Sequence, residues 1–168
     1  MSTSQSNILT TTIWNILHDI YDPEVPVLSI VDLGIVRDVV VNDEAAFILI
    51  TPTYTGCPAM DVIRMNIKMA LLEKGLGNVE IKTILSPAWT TDWISEKGKQ
   101  QLKAFGIAPP NSTHSVCTID AFAADEAVQC PRCLSFNTKA ISRFGSTACK
   151  ALYQCNDCHE PFDYFKCH

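Results

Sequence analysis

The chain has 168 residues, of which 47% are hydrophobic and 18% are charged, with a formal net charge of −5 at pH 7. This composition is typical of a folded globular protein and excludes a largely disordered chain. No apolar run approaches the roughly 20 residues that a transmembrane helix needs. Residues 1–7 also lack the basic and apolar segments of a secretory signal. We therefore expect a cytoplasmic protein that does not enter a membrane.

The apolar pattern of the first 110 residues predicts three helices and three strands. Leucine and isoleucine recur at helical spacing over residues 9–20, and Asp22-Pro23 ends that helix. The remaining elements are a β-hairpin (35–41 and 45–51), a helix from Pro58 to Gly75, a strand (79–85) and a helix interrupted by Gly98 (92–105). The order αββαβα predicts a small α/β or α+β layered domain over residues 1–110.

The end of the chain differs from this domain in cysteine content and charge. Residues 1–127 carry 8 basic and 15 acidic side chains, whereas residues 128–168 carry 5 and 3. Six of the eight cysteines lie in residues 128–168. In a reducing compartment, clustered cysteines are metal ligands more often than disulfides. We therefore expect a zinc-ribbon-like lobe over residues 128–168, preceded by an extra strand or linker at 111–127.

Two Cys-x-x-Cys pairs predict the metal ligands of this lobe. Cys130 with Cys133 and Cys155 with Cys158 supply the four sulfurs of a closed tetrahedral site, for which zinc is the usual occupant. The segment between the pairs can hold a hairpin of residues 139–142 and 151–154. Two alternatives stay open: four thiolates also hold iron, and one ligand can be replaced by another metal-binding side chain. The candidates for such a replacement are Cys149, Cys167, His159 and His168, although for both cysteines we favour burial as small hydrophobic residues. Most of the lobe's six aromatic residues are expected to pack inside it, with one or two left exposed.

Cys57 is the candidate functional residue of the first domain. It lies between the second predicted strand and the second predicted helix, and a helix N-terminus can lower the pKa of a thiol. Cys57 is thus either a metal-binding or reactive thiolate, or a residue that only fills the start of the helix. The acidic residues Asp22, Glu24 and Asp32 in the preceding irregular loop either assist a metal or cap turns, and turn capping is favoured. No histidine is placed beside Cys57, which argues against a cysteine hydrolase.

Several segments resemble known families. The first domain resembles the small domain of SufT-type and MIP-type iron-sulfur assembly factors, through residues 21–36 (Tyr-Asp-Pro-Glu-Val-Pro-Val-Leu-Ser-Ile-Val-Asp-Leu-Gly-Ile-Val), 51–58 (Thr-Pro-Thr-Tyr-Thr-Gly-Cys-Pro) and 86–89 (Ser-Pro-Ala-Trp). The tail resembles the C-terminal region of the PaaD family of phenylacetate-pathway accessory proteins, through residues 144–153 (Phe-Gly-Ser-Thr-Ala-Cys-Lys-Ala-Leu-Tyr) and 160–168 (Glu-Pro-Phe-Asp-Tyr-Phe-Lys-Cys-His). The turn formed by each Cys-x-x-Cys pair is called a knuckle here. The tail departs from a typical knuckle in one position: Leu134 follows Cys133 where glycine is usual, since glycine tolerates positive φ.

The resemblance implies an accessory protein, not an enzyme, that helps to mature the multicomponent phenylacetyl-CoA epoxidase. The same resemblance implies a client whose oxygenase subunit uses a di-iron site and whose reductase subunit carries an iron-sulfur cluster. It implies that Cys57 contacts a transient iron ion or iron-sulfur cluster, and that Asp22, Glu24 and Asp32 occupy the family's acidic loop positions. The partners that it implies are epoxidase subunits and iron-sulfur carrier proteins, and a homodimer is left open.

A different class of function is kept as the alternative: a zinc-ribbon module that binds protein or nucleic acid and has no role in metal delivery. The net charge of −5 argues against nucleic acid, because binding to phosphates needs clustered Lys and Arg.

Overall fold

The computed structural model describes residues 3–42, 45–110 and 128–166. For residues 3–6 only the backbone is described. The chain divides into two compact units, Met1–Trp89 and Thr90–His168. The predicted strand or linker at 111–127, and with it Cys117, lies outside the described residues, as do Cys167 and His168. Among the described helices, none combines the length and the apolar character that crossing a bilayer would require.

The first unit contains two helices and a three-stranded sheet, and all of its predicted elements are confirmed. They are α1 (Thr3–His18), β1 (Val36–Val41), β2 (Ala46–Ile50), α2 (Ala59–Glu73) and β3 (Val79–Thr83). The sheet order is β1-β2-β3. β1 and β2 form the predicted antiparallel hairpin, and β3 runs parallel to β2 because α2 connects them as a crossover.

The core of this unit follows directly from the apolar periodicity of its elements. Ile13 and Leu17 on α1 are fully buried, as are Ile63 and Ile67 on α2, and each pair is spaced by one helical turn. Alternate residues of the central strand β2, such as Ile48, are also buried. Each such side chain stabilises the fold by roughly 1.5–3 kcal/mol relative to exposure.

Backbone hydrogen bonds order the segment between α1 and β1, which carries the three acidic residues of interest. The amide of Ile30 donates to the carbonyl of Ile20 at 2.9 Å, and the amide of Asp22 donates to the carbonyl of Leu28 at 2.9 Å. Trp89 is buried and donates from Nε1 to the carbonyl of Leu33 at 3.0 Å. The acidic loop is therefore held against the unit at both ends.

The end of α2 confirms the role predicted for Gly75. Its φ is +72°, and its amide donates to the carbonyl of Leu72 at 2.9 Å. The amide of Leu76 reaches the carbonyl of Leu71 at 2.9 Å, which completes a Schellman motif.

The second unit contains a short 3-10 turn (Thr91–Trp93), one helix and a four-stranded sheet. The elements are α3 (Glu96–Phe105), β4 (Ile107–Ala108), β5 (Thr138–Ser142), β6 (Lys150–Cys155) and β7 (Pro161–Phe165), and the sheet order is β4-β7-β6-β5. The predicted hairpin is confirmed, with Lys139 of β5 opposite Gln154 of β6. Tyr153 packs on Phe162 and Tyr164, with ring centroids 6.0 and 5.5 Å away, respectively.

The prediction for the third helix is wrong in two respects: the residue at which the helix begins and its interruption at Gly98. The helix begins at Glu96, not at Asp92, because Ser95 is extended and caps it, its Oγ accepting from the amide of Gly98 at 2.9 Å. Gly98 is therefore part of the first turn and does not interrupt the helix.

The boundary predicted after residue 110 also differs from the division between Trp89 and Thr90. After α3, Gly106 (φ +94°) leads into β4, which pairs with β7. Through this pairing, α3 and β4 become part of the second unit. A pairing between residues more than 50 positions apart leaves no signal in local apolar patterns.

Candidate metal centre and thiol site

The structure brings the four predicted metal ligands together in the second unit. The Sγ atoms of Cys130, Cys133, Cys155 and Cys158 all lie within 4.8 Å of one another. Cys130 Sγ is 3.8 Å from Cys158 Sγ, and Cys133 Sγ is 3.5 Å from Cys155 Sγ. Cys130 and Cys155 are buried, whereas Cys133 and Cys158 are exposed.

These distances fit a single tetrahedral ion. Metal-sulfur bonds of about 2.3 Å place the sulfurs of a tetrahedron about 3.8 Å apart. Because four thiolates fill this coordination sphere, no position is left for a reacting water. The geometry suits a structural ion and not a catalytic one.

The alternative ligands that are described lie outside this cluster. Cys149 is buried, and its sulfur is 3.1 Å from the hydroxyl of Thr147. His159 is not among the groups that the structure brings together with the four sulfurs. Cys167 and His168 fall outside the described residues.

Each cysteine pair is followed by a residue in the left-handed region. Leu134 has φ 64° and His159 has φ 63°. The amide of Leu134 donates to the carbonyl of Cys130 at 3.0 Å, and the amide of Cys130 donates to the carbonyl of Ser135 at 2.8 Å. The knuckle turn therefore forms with leucine in the place where glycine is usual. In the sequence, Leu134 is recognisable as a residue that replaces the usual glycine. His159 occupies the equivalent position after the second cysteine pair, and the sequence analysis did not identify it.

Backbone amides around the cluster shift the pKa values of the thiols in different directions. The amides of Cys158 and Asp157 lower the pKa of Cys155 to about 7. At Cys133 the amide of Ser135 lowers the pKa, but partial desolvation of the sulfur and hydrogen bonds with the neighbouring thiols outweigh it and raise the pKa to about 12. Thiolates are the species that bind a metal ion, so binding of an ion here releases the protons of these thiols.

A polar network, which the sequence patterns did not predict, joins the two knuckles. The carboxylate of Asp157 accepts hydrogen bonds from the hydroxyl of Ser135 and, at 2.7 Å, from Nδ2 of Asn137. Asn156 donates from its amide and from Nδ2 to Asn137, each at 2.8 Å. The hydrogen bonds from Ser135 and Asn137 lower the pKa of Asp157. The only sequence signal was the Asn-Asp pair inside the second knuckle, residues 156 and 157.

Cys57 lies in the first unit, between β2 and α2, as predicted. It follows Gly56, whose φ is +82°, and its amide donates to the carbonyl of Tyr54 at 3.2 Å. Its side chain is half-buried. Thr51, at the end of β2, is 1% exposed, and its Oγ1 has no hydrogen-bond partner among the described residues.

The expected lowering of the Cys57 pKa is wrong. Burial raises the pKa of this thiol, and the negative charge of Glu24 raises it further. The hydrogen bond from the amide of Ala59 and those from the side chains of Tyr54 and Thr53 lower it, but not enough to reverse the shift. The thiol therefore stays protonated near neutral pH until something replaces its proton.

The three acidic residues do not share one environment. Asp22 Oδ1 accepts from the amides of Glu24 and Val25, both at 2.8 Å. Asp32 Oδ2 accepts from the hydroxyl of Ser29 at 2.9 Å, and this hydroxyl accepts from the amide of Asp32. Asp22 and Asp32 thus cap turns in the loop, whereas the charge of Glu24 acts on Cys57. A role in metal contact stays a prediction for all three.

Comparison with known families gives two matches along the chain. Residues 10–83 match the iron-sulfur cluster assembly protein family. Residues 115–166 match the PaaD zinc beta ribbon domain. The first match falls in the unit with Cys57, and the second includes all four clustered cysteines.

Individual relatives agree with this division. An Escherichia coli (strain K12) protein, provisionally named as a subunit of 1,2-phenylacetyl-CoA epoxidase, is 50% identical over 92% of this chain and 91% of its own. The Fe-S protein maturation auxiliary factor of Porphyromonas gingivalis is 36% identical over 51% of this chain and 83% of its own. The crystal structure of a domain of unknown function, DUF59, from Bacillus anthracis covers 60% of this chain and 97% of its own, with 26% identity and a TM-score of 0.56. The chain therefore belongs to the PaaD family, in which an iron-sulfur cluster assembly domain is joined to a zinc beta ribbon.

Proposed function

We propose that this chain is an accessory maturation factor of the phenylacetyl-CoA epoxidase that delivers iron or an iron-sulfur cluster to one of the epoxidase subunits. Cys57 holds the cargo transiently, and a zinc-bound lobe of residues 128–166 contacts the client. The observation that carries the proposal is one half-buried thiol directly before α2 in an iron-sulfur assembly domain, in a chain 50% identical to a protein named for this epoxidase.

The lobe supports the proposal through the fit of its four sulfurs to one zinc ion. Cys130, Cys133, Cys155 and Cys158 would hold the ion, which stabilises the lobe when bound. Asp157, Ser135 and Asn137 keep the two knuckles in register around it. The ion would also cross-link two cysteine pairs that are separated by residues 134–154, so it matters for the folding of the lobe.

The setting of Cys57 supports a transient hold. Binding of iron to Sγ releases the thiol proton to solvent, and the amide of Ala59 and the side chains of Tyr54 and Thr53 are placed to stabilise the sulfur's negative charge. Iron-sulfur clusters are commonly held by four cysteines. One cysteine therefore leaves the cargo under-liganded, so that client cysteines can take it over.

Co-expression with the client tests this proposal. Cys57→Ser should leave the zinc content of the chain unchanged and yield an iron-sulfur subunit of the epoxidase that lacks iron. The matched control is Cys149→Ala, which also removes a thiol but lies outside the four-sulfur cluster, and its client should be fully loaded. A fully loaded client from Cys57→Ser would contradict the proposal.

The exposed surface of the lobe favours a second candidate, a protein-binding zinc ribbon with no delivery role. Four large apolar side chains are more than half exposed there, namely those of Leu134, Phe136, Ile141 and Phe144. This agrees with the expectation that one or two aromatic residues stay exposed while Tyr153, Phe162, Tyr164 and Phe165 are buried. The second candidate requires that the epoxidase complex assembles normally with Cys57→Ser and fails when Phe136 and Phe144 are replaced by serine.

A further inference from the structure

Helix α2 has apolar residues on two opposite faces, and only one of them faces the core. The inner face consists of buried residues, Ala59, Met60, Ile63, Ile67 and Leu71. The other face carries a row that we call the outer stripe: Val62, Met65, Met69 and Leu72, exposed by 47, 61, 53 and 63%, respectively. A surface helix ordinarily has one apolar stripe, which faces its own core. The outer stripe therefore needs an explanation outside the fold of this unit.

The spacing of the outer stripe suits a helix as its partner. Its residues follow one another at intervals of three, four and three, which is the a/d spacing of a coiled-coil seam. From Val62 to Leu72 the stripe is about 15 Å long. Val62 is five residues after Cys57, so a helix lying along the stripe has one end near the N-terminus of α2, which Cys57 precedes by two residues.

The size of the outer stripe argues for a transient partner and against a permanent second copy. Even a large aromatic side chain buries only about 150–250 Å². Four aliphatic side chains, each already partly covered, therefore bury less than about 600 Å² together, below the roughly 800 Å² per partner of a stable interface. Two of the four are methionines, whose flexible thioether side chains adapt to different partners.

We propose that the outer stripe docks an amphipathic helix of the client protein and thereby brings the client's cluster site to Cys57. This inference rests on the delivery function proposed above. Lys68 is exposed along one border of the stripe, and Glu73 is exposed near its end on the other border. A matching client helix thus has apolar residues at a/d spacing, an acidic residue opposite Lys68 and a basic residue opposite Glu73.

Binding of the purified, cluster-free iron-sulfur subunit of the epoxidase to the immobilised full chain tests the proposal. The variant Met65→Glu/Met69→Glu places two charges in the stripe and keeps good helix formers on α2. We expect it to bind the client at least ten-fold more weakly than the unsubstituted chain. The matched control Ile8→Glu/Leu85→Glu makes the same charge change at residues that are 68 and 63% exposed in the same unit. It should bind within two-fold of the unsubstituted chain.

The failure of docking and the failure of delivery are distinguishable in this experiment. If the unsubstituted chain loads the client, and the stripe variant binds the client as tightly as the unsubstituted chain, only the docking inference is overturned. If sedimentation shows a dimer that the stripe variant converts to a monomer, the occupant is a second copy and the inference is again overturned. If the unsubstituted chain neither binds nor loads the client, delivery fails and the inference fails with it. Cys57→Ser should bind normally without loading.

Discussion

Replacing Leu134 with glycine should strengthen metal binding by the lobe, although it removes a large side chain. The backbone of Leu134 has φ 64°, a left-handed conformation that costs an L-residue roughly 1–2 kcal/mol. Glycine avoids this cost but loses up to about 1 kcal/mol through the greater freedom of the unfolded chain. The side chain of Leu134 is 52% exposed, so its removal gives up only part of the burial free energy of a leucine. The net gain is therefore at most about 1 kcal/mol.

Because folding of the lobe and metal binding are coupled, this gain appears as an increase in metal affinity of up to about five-fold. Competition with a chromophoric zinc chelator measures it. The control is Phe136→Gly, which lies in the same segment, is similarly exposed and has no positive φ, and which should weaken binding. Equal weakening by both substitutions would refute the reasoning that the left-handed backbone is costly.

Three further predictions concern the lobe, the thiol and the core. Cys130→Ala should unfold the lobe, because three thiolates no longer close the site, and a protease-resistant variant would contradict this. The rate of Cys57 alkylation should be low at pH 7 and rise towards alkaline pH, because burial and Glu24 raise the thiol pKa and only the thiolate reacts. Glu24→Gln should lower this pKa and speed alkylation at pH 7; an unchanged pH profile would exclude the influence of Glu24. Leu71→Ala should reduce the free energy of unfolding of the first unit by about 2–5 kcal/mol. Leu72→Ala, the adjacent but exposed residue, should change it by less than about 0.5 kcal/mol, and equal losses would contradict the assigned faces of α2.

Sequence patterns predicted those parts of the structure that depend on near neighbours. The hairpin of β1 and β2, the Gly75 cap and the Cys-x-x-Cys turns all follow from residues within a few positions of one another. The cap of α3 is also a local signal, because Ser95 directly precedes Glu96, but it competes with Gly98, which resembles a helix breaker in the sequence.

Features that depend on tertiary contacts could not be predicted in this way. The pairing of β4 with β7 joins residues 107–108 to residues 163–164, and it places α3 in the second unit. The pKa of Cys57 was predicted in the wrong direction because a helix N-terminus is visible in the sequence, whereas burial of the thiol and the approach of Glu24 are not. The cross-link between Asp157 and Asn137 likewise spans 20 residues and needs both knuckles to be in place.

Transfer of cargo in a purified system tests the central claim most directly. The chain, reconstituted with iron and sulfide, is mixed with the cluster-free iron-sulfur subunit of the epoxidase, and the visible absorbance of the reisolated client is measured. We predict that the client acquires a cluster from the unsubstituted chain and from Cys149→Ala, but not from Cys57→Ser. Equal transfer by Cys57→Ser, with its lobe intact and its zinc content unchanged, would contradict the account.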